Sequence, residues 1–426
     1  MYWKGIVVTF VAYVCVHAGR KALTNTKAIA AESLGLSPEI AGSLDAVFML
    51  AYAAGLVFFG GLGDKFSPSK LLSVSLISMA VLQLVFAVMC VARFGESVIG
   101  CVGLFAVWIV NGAVQSLAWP CCIKLVRQCM CEGASSTVFS VWACNGVVGN
   151  ILCSVIASFL VELPGKAGFV AVFLVTSLCN QVAMLLVQSA SFPAHHAAHA
   201  LLEETTTSHP AERMSLEACL KIPGVIDYSA CHAFVKGVAY AMFFWLPFYL
   251  VKVHGISPGA AAAGSIWYDL ATLVGGPVCG YLVEKTKKPA LVISVFVLLA
   301  AGPQFFINSD STSLAVFSSS IPRSVLVNLL LSGFFVGGVL NVLSAAVCSK
   351  LGGEAHTSMV TGVIDGLGSL GASATQVLVP FLGVDSGWGT VFSLLGVMLV
   401  LSAVTLVRVT RDELKQRPEI QYQIQN

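Results

Sequence analysis

Three basic side chains lie inside long apolar segments, where charge is rare: Arg20, its neighbour Lys21, and Lys236. Fifteen uncharged residues, 5 to 19, precede Arg20. At about 1.5 Å per residue they cannot cross a hydrocarbon core of about 30 Å, so a membrane helix must continue through Arg20. Lys236 lies about 16 Å along its helix from Val225, near the middle of its segment. Such a charge costs about 2.5 to 3.5 kcal/mol and should face a polar cavity, although Arg20 could instead extend to the outer surface.

Hydrogen-bonding side chains accompany Arg20 and Lys236 at helical spacing, which stacks them on one helix face. They are Tyr13 and His17 beside Arg20, and His232 and Tyr240 beside Lys236. A guanidinium supplies a planar fork of donors and an ammonium a compact charge, and Tyr and His add further hydrogen bonds. This chemistry suits an oxyanion such as phosphate. A carboxylate would satisfy it equally, so the residues alone predict an anion site.

A third stripe of polar and aromatic residues occurs in the fourth apolar segment. Its members are Trp108, Asn111, Gln115 and Trp119. Their spacing places them on one face of a helix, so Asn111 and Gln115 could line the same cavity as the cations. Packing of the aromatic residues in the core explains the stripe equally well.

The composition excludes an ordinary soluble protein. Apolar residues make up 57% of the 426-residue chain and charged residues only 10%, against about a quarter in typical soluble domains. The formal net charge of +2, without a clustered basic face, also excludes binding of nucleic acid through bulk charge. An integral membrane protein is the remaining class.

Apolar runs of about 20 residues span a bilayer as helices, and the chain contains twelve of them. Their limits are 5–28, 40–63, 70–91, 98–124, 135–161, 168–188, 225–251, 257–283, 289–307, 325–348, 357–382 and 388–409. With the amino terminus inside, fifteen basic residues fall on the inner face and only five, Lys27 among them, on the outer face. Because short cytoplasmic loops collect Lys and Arg, both termini are predicted to be cytoplasmic.

Neither the cysteines nor the histidines predict a metal site or a disulfide scaffold. Most of the fourteen cysteines lie in apolar runs, where a thiol behaves as a small hydrophobe. Cys129 and Cys131 lie near the inner face, where acylation is an open alternative. His195, His196 and His199 belong to a polar stretch that reads as a solvated linker.

The chain repeats itself at an offset of 220 residues, as transporters built from parallel repeats do. Gly60, Asp64 and Lys65 after the second span correspond to Gly280, Glu284 and Lys285 after the eighth, and Asn145-Gly146 corresponds to Asp365-Gly366. The repeat predicts two six-helix bundles, 1–188 and 222–410, joined by a cytoplasmic linker, 189–221, and followed by a cytoplasmic tail, 411–426.

The glycine and charge motif after the second and eighth spans resembles the signature of the major facilitator superfamily. Further segments are similar to its sugar-phosphate exchanger branch, which is related to the bacterial glycerol-3-phosphate and hexose-phosphate antiporters. These segments are His17 to Lys21, Leu44-Asp45, Tyr52 to Gly55, Trp119-Pro120, Gly149 to Leu152, Trp245 to Leu250 and Thr361 to Ser369. The resemblance implies an all-α membrane fold of two pseudo-symmetric six-helix bundles.

In that branch a cation on the first helix and another on the seventh bind substrate phosphate, which implies this role for Arg20 and Lys236. The resemblance also implies that Lys21 pairs with the acid of the eighth span, Asp269. Two further intramembrane acids, Asp45 and Asp365, help to balance the buried cations. The bacterial antiporters also carry a basic residue in helix 2 and a His in helix 5, where this chain has apolar residues near Phe59 and Gly146.

The resemblance therefore implies an antiporter that exchanges a phosphorylated sugar or a glycerol-3-phosphate-like compound for inorganic phosphate. Two alternatives stay open: proton-coupled symport of a carboxylate or sugar through Asp45, Asp269 or Asp365, and a receptor that does not transport. We expect a monomer in contact with membrane lipid, in the endoplasmic reticulum or another intracellular membrane, with the plasma membrane as an alternative. We expect no enzymatic activity, no cofactor and no nucleic-acid partner.

Overall fold

The computed structural model describes residues 2–59, 62, 66–129, 141–192, 215–306, 313–316, 319–385 and 387–415. In this part of the chain, ten helices are long and apolar enough to cross a membrane. A shorter apolar helix and a long eleventh helix complete two sets of six. The spans are α1 (Trp3–Ser33), α2 (Pro38–Phe59), α3 (Pro68–Val91), α4 (Val98–Gln115, continued as Ala118–Cys129), α5 (Asn145–Leu160), α6 (Ala167–Ser189), α7 (Val225–His254), α8 (Pro258–Thr286), α9 (Pro289–Phe305), α10 (Arg323–Val342), α11 (Cys348–Asp385) and α12 (Trp388–Thr405).

Five small elements complete the described chain. A 3-10 helix, Phe94–Glu96, connects α3 to α4, and a π-helix, Leu343–Val347, connects α10 to α11. A short helix, Leu216–Leu220, precedes α7, and a helix of nine residues, α13 (Val407–Lys415), follows α12. A two-stranded antiparallel hairpin, β1 (Ser313–Val316) and β2 (Ser319–Pro322), connects α9 to α10. The hairpin departs from the all-helical prediction, but it lies in a connection between spans and leaves the membrane fold unchanged.

The first helix of each half lies at the centre of the molecule. The most apolar 18-residue window is 72% buried in α1 and 83% buried in α7, compared with 33% in α4. Both central helices exceed the length of about 20 residues that a bilayer requires, with 31 residues in α1 and 30 in α7. Side chains on α1 and α7 are therefore the ones positioned to face a central site.

The two halves are related by approximate symmetry. Arg20 of α1 donates a hydrogen bond to Tyr240 of α7, and Glu32 of α1 forms an ion pair with Lys252 of α7. The two residues of each pair are 220 positions apart, which is the offset of the internal repeat. Each residue thus meets its own counterpart in the other repeat, which happens close to a two-fold axis. The pseudo-symmetry axis passes between α1 and α7, next to Arg20.

Glycines allow the helices around α1 and α7 to approach closely. A Cβ atom at Gly149 of α5 would lie 2.3 Å from the main-chain oxygen of Val14 in α1. A Cβ atom at Gly371 of α11 would lie 2.2 Å from the main-chain oxygen of Ala233 in α7. Small residues at such crossings let membrane helices pack backbone to backbone. They bring polar groups of α5 and α11 within reach of the central helices.

The halves are joined by polar contacts at the end of the bundle where α1 and α7 terminate, here called the far end. Lys252 Nζ lies 2.6 Å from Glu32 Oε1. Glu162, just beyond α5, accepts hydrogen bonds from the Ser257 hydroxyl at 2.7 Å and from the Gly259 main-chain NH at 2.9 Å. These contacts hold α1 to α7 and the α5 end to the start of α8.

One placement from the sequence is wrong, and several others lie outside the described residues. Lys27, counted among the outer-face basic residues, lies fully buried inside α1, because that helix runs to Ser33 rather than ending near residue 28. Among the residues singled out in the sequence, those outside the described ranges are Gly60, Asp64, Lys65, Cys131, His195, His196 and His199.

Candidate anion-binding site

Arg20 is held on several sides inside the bundle, where its side chain is 4% exposed. Its Nε donates a hydrogen bond of 3.0 Å to Gln115 Oε1, and Nη1 donates one of 3.3 Å to the Tyr240 hydroxyl. The guanidinium also lies over the rings of Tyr52, at 4.7 Å, and Phe48, at 5.5 Å. Nη2 is buried without a hydrogen-bond partner among the described residues. The fork is therefore oriented and retains unused donors.

Gln115 presents its oxygen to Arg20 because a neighbour occupies its nitrogen. The Gln115 Nε2 atom donates a hydrogen bond of 3.2 Å to Asn111 Oδ1, one helical turn earlier on α4. Both side chains are 1% exposed. The predicted polar stripe of α4 thus reaches the site through Gln115, while Asn111 orients that side chain.

The two tryptophans of the same stripe pack against aromatic rings. Trp108 lies against Phe86 of α3 with ring centroids 4.1 Å apart. Trp119 lies against Tyr13 of α1 at 4.8 Å, and Tyr13 in turn contacts the His17 ring at 5.0 Å. Trp108 therefore belongs to the packed core, and Trp119 supports the aromatic side of α1 below the site.

Lys236 of α7 is held by α11. Its Nζ lies 2.7 Å from Asp365 Oδ1 and 2.8 Å from the Ser369 hydroxyl, and all three side chains are buried. Asp365 and Ser369 are four residues apart on α11, so one helix face supplies both acceptors. The carboxylate compensates the charge of Lys236 within the bundle.

The two cations share aromatic walls. Tyr240 contacts Arg20 through its hydroxyl, and its ring centroid lies 5.5 Å from Lys236 Nζ. Tyr52 of α2 lies 4.7 Å from the Arg20 guanidinium and 5.9 Å from Lys236 Nζ. The structure thus places one cation from each half against the same two tyrosine rings. Tyr52, a site residue that sequence reasoning missed, carried a signal only as part of the resemblance motif Tyr52 to Gly55.

His232 lies one turn before Lys236 and is fully buried. Its Nε2 is 3.8 Å from Asp365 Oδ1, and neither ring nitrogen has a hydrogen-bond partner among the described residues. Gly368 of α11 makes room for the ring, since a Cβ atom there would lie 2.5 Å from His232 Cδ2. His232 is therefore placed beside the carboxylate rather than beside Arg20.

A second polar chain joins α1 to α5 and α8. Lys21 Nζ lies 2.5 Å from Asp269 Oδ2, and both side chains are buried. Asn150 Nδ2 donates to the other Asp269 oxygen at 3.3 Å, and Asn150 Oδ1 lies 3.1 Å from His17 Nδ1. The structure brings Lys21 together with Asp269, while His17 joins this chain rather than contacting Arg20 directly.

A fourth buried cation was missed because Lys27 was counted on the outer face. Its Nζ lies 2.6 Å from Asp45 Oδ2 of α2 and 2.9 Å from the Phe244 main-chain oxygen of α7. The same atom lies 3.9 Å from the centre of the Trp245 indole. Lys27 follows Arg20 by two helical turns, and this spacing is the signal that could have placed it on the inward face.

The described residues of the glycine and charge motif lie apart from the site. Gly280, Glu284 and Lys285 occupy the last turns of α8, and the two charged side chains are exposed. Lys285 Nζ lies 5.9 Å from the centre of the Tyr281 ring. These residues lie several turns beyond Asp269 on α8, at the end of the bundle and away from the buried cations.

Only one buried cation in the described chain lacks a carboxylate partner. Lys21, Lys27 and Lys236 are paired with Asp269, Asp45 and Asp365, respectively. Arg20 instead contacts neutral groups, namely an amide, a hydroxyl and aromatic rings. The buried centre therefore carries one uncompensated positive charge, located where an orphaned donor is available.

Comparison with known proteins identifies the family. The model of the Major Facilitator Superfamily matches residues 9–318. The chain belongs to the Major Facilitator Superfamily. This confirms the predicted fold class of twelve membrane helices in two pseudo-symmetric bundles. The solved structure of the xylose transporter XylE from E. coli, in a partially occluded inward-open conformation, has the same fold, with a TM-score of 0.72 over 96% of this chain and 97% of that chain, at 12% identity.

Relatives named as transporters of organophosphates match nearly the whole chain. Sugar phosphate exchanger 3 from Xenopus laevis is 28% identical over 485 residues, which cover 96% of this chain and 93% of the relative. A putative glycerol-3-phosphate transporter 5 from Arabidopsis thaliana is 29% identical over 463 residues, which cover 96% of this chain and 91% of the relative. The resemblance to the sugar-phosphate exchanger branch is thereby confirmed.

Proposed function

We propose that this superfamily member exchanges a phosphorylated sugar, or a glycerol-3-phosphate-like compound, for inorganic phosphate across an intracellular membrane. The observation that carries the proposal is the uncompensated guanidinium of Arg20, buried at the pseudo-symmetry axis with a donor unused. Arginine forks match the geometry of phosphate oxygens, and charge-assisted hydrogen bonds are about twice as strong as neutral ones. The names of the relatives supply the organophosphate class.

Each side chain near Arg20 has a part in this proposal. Gln115 and Tyr240 orient the guanidinium by accepting two of its hydrogen bonds, so its remaining donors face the substrate. Lys236 supplies the second cation from the opposite half. Tyr13, His17, His232 and Asn111 support these groups from the surrounding helices. A phosphate held between α1 and α7 then touches both halves at once.

Exchange follows from the charge of the empty site. An unpaired charge inside a membrane protein is costly, and the halves must close around Arg20 when the carrier reorients. A bound phosphate compensates that charge, so the loaded carrier reorients readily and the empty one does not. Rocking of the two bundles would separate the far-end contacts between Glu32 and Lys252 and around Glu162.

The remaining elements of the proposal concern topology. The inner-face excess of basic residues supports cytoplasmic termini, with 189–221 as a cytoplasmic linker between the bundles 1–188 and 222–410 and with 411–426 as a tail. The carrier is proposed to act as a monomer in the endoplasmic reticulum or a related membrane, because one chain contains both cations of the site.

Counterflow in proteoliposomes tests the proposal. Vesicles loaded with unlabelled phosphate should take up labelled phosphate, and external glycerol 3-phosphate or a hexose phosphate should compete with it. Vesicles without internal phosphate should take up little. Uptake into phosphate-free vesicles that is driven by an inward pH gradient would contradict exchange and establish proton-coupled symport instead.

A further inference from the structure

Asp365 places a carboxylate inside the candidate anion site. Its Oδ1 lies 2.7 Å from Lys236 Nζ, which also contacts the Asp365 main-chain oxygen at 3.4 Å. His232 Nε2 is 3.8 Å away from the same Oδ1 atom, and Ser369 completes the contacts of Lys236. Asp365 is 7% exposed and needs Lys236 as its counterion. An acid in this place competes with any substrate anion for the same ammonium group.

The carboxylate halves the positive charge that a substrate meets. Arg20 and Lys236 together contribute two positive charges, and the Asp365 carboxylate removes one. The other two buried ion pairs, Lys21 with Asp269 and Lys27 with Asp45, are each neutral and do not change this sum. A substrate therefore enters a site with an excess of one positive charge. A phosphoryl group carries about 1.5 to 2 negative charges at pH 7, so it already offsets this excess. The charge of an additional carboxylate would therefore be buried without compensation, which is unfavourable in a site of low dielectric.

The two repeats differ at this position. Asn145 of α5 is the counterpart of Asp365 at the offset of 220 residues, so the amino-terminal half has a neutral amide where the other half has an acid. Asn145 is fully buried, and neither of its side-chain polar atoms has a hydrogen-bond partner among the described residues. The fold thus accommodates an amide at this repeat position, and Asp365→Asn is a conservative change in shape.

We propose that Asp365 is a specificity-determining residue that selects substrates by charge. The proposal rests on the phosphate site proposed above. By holding the excess at one positive charge, Asp365 favours an organophosphate whose only charged group is the phosphoryl group. It disfavours a compound of the same skeleton that carries an additional carboxylate.

Glycerol 3-phosphate and 3-phosphoglycerate are suitable probes because they share three carbons and a phosphoryl group but differ by one carboxylate. For each protein we take the concentration of each compound that half-inhibits counterflow of labelled phosphate, and divide the value for 3-phosphoglycerate by the value for glycerol 3-phosphate. This ratio does not depend on how much protein is inserted in the vesicles. An unpaired charge acting across about 10 Å at an effective dielectric of 20 corresponds to an affinity change on the order of tenfold. Wild-type protein should therefore prefer glycerol 3-phosphate by about tenfold. Equal inhibition by the two compounds would overturn the proposal even if no variant folds.

Three variants separate charge from shape. Asp365→Asn should shift the ratio toward 3-phosphoglycerate on the order of tenfold, because the site gains one net positive charge. Asp365→Glu keeps the charge, and Ser369→Ala removes a neutral contact of Lys236, so both should keep the wild-type ratio even if their absolute affinities change. A wild-type ratio in Asp365→Asn would overturn charge selection. An equal shift in Ser369→Ala would show that the position of Lys236 matters rather than the charge of Asp365.

The experiment distinguishes failure of the proposed exchange from failure of the proposed role of Asp365. Absence of phosphate counterflow in wild-type protein would contradict the proposed exchange itself. Counterflow that is present but insensitive to the extra carboxylate, in wild-type protein and in Asp365→Asn alike, would leave the exchange intact and overturn only the role of Asp365.

Discussion

At the scale of single residues, the function proposed here depends on how the Arg20 guanidinium is held. Its Nε and Nη1 atoms are committed to Gln115 and Tyr240, while the Tyr52 ring lies beneath it. These contacts involve neutral partners, so they orient the cation without cancelling its charge. A preoriented donor loses little entropy on binding, which favours recognition of an anion.

Arg20→Lys should lose most of the exchange activity although it keeps the positive charge. An ammonium group lacks the planar fork and cannot maintain both orienting contacts while offering two donors to phosphate. We expect a fall of tenfold or more in kcat/KM for phosphate counterflow, as loss of one charge-assisted hydrogen bond of about 1.5 to 3 kcal/mol implies. Retention of near-normal counterflow at equal insertion would contradict the role of the fork.

At the scale of helices, buried ion pairs connect elements that belong to different parts of the fold. Lys21 of α1 reaches Asp269 of α8 in the other half. Lys27 of α1 reaches Asp45 of α2 and also the main chain of α7 at Phe244. Because the partners are buried, removing one member of a pair strands a charge, which commonly costs about 3 to 5 kcal/mol.

A charge exchange tests the pairing of Lys21 with Asp269. Lys21→Ala and Asp269→Ala should each lower transport strongly, since each leaves an opposite charge uncompensated. The double variant Lys21→Asp with Asp269→Lys restores attraction and should recover part of the counterflow. A double variant no more active than the poorer single variant, with all proteins equally inserted, would argue against a functional pair.

The contact of Lys27 should be visible in stability. Lys27→Met is expected to lower the thermal unfolding temperature of the detergent-purified protein, because Asp45 is left buried without a counterion. Adding Asp45→Leu should restore much of the loss, since replacing a whole buried pair with apolar side chains is often neutral or stabilising. Equal melting temperatures for wild-type protein and Lys27→Met would show that the pair contributes no net stability.

Periodicity and segment length in the sequence were sufficient to predict much of the fold and part of the site. The depth of Arg20 and Lys236 could be predicted because helical rise converts residue number into distance along the membrane normal. Helical spacing could have placed Lys27 on the inward face of α1, but its partners could not be predicted, because they depend on α2 and α7 covering the last turns of α1. The pairing of Lys236 with Asp365 likewise depends on the close approach of α7 and α11 at Gly371.

At the scale of the whole molecule, the pseudo-two-fold axis links the site to the far end. Arg20 meets its counterpart Tyr240 near the axis, and Glu32 meets its counterpart Lys252 farther along the same two helices. The exposed pair of Glu32 and Lys252 contributes little stability by itself, since surface ion pairs are worth about 0 to 1 kcal/mol. In the proposed cycle this pair therefore serves as a contact that forms and separates easily.

A cross-link at the far end should stop exchange if the bundles rock. Glu32→Cys and Lys252→Cys place thiols on facing helices, and a bifunctional thiol reagent of matching length should join them. Counterflow is expected to fall in proportion to the fraction cross-linked, while each single variant treated in the same way provides the control. Full activity of the cross-linked protein would contradict separation of α1 and α7 at this end.

Equilibrium binding of phosphate to the purified protein tests the central claim, that the uncompensated Arg20 holds the substrate anion. Wild-type protein should bind labelled phosphate saturably, with displacement by glycerol 3-phosphate. Arg20→Gln should weaken binding by a hundredfold or more, about the loss of two charge-assisted hydrogen bonds. The paired change Lys27→Met with Asp45→Leu, which alters another buried cation on the same helix, should leave the dissociation constant within a few-fold of wild type. An unchanged phosphate affinity in folded Arg20→Gln would contradict the account.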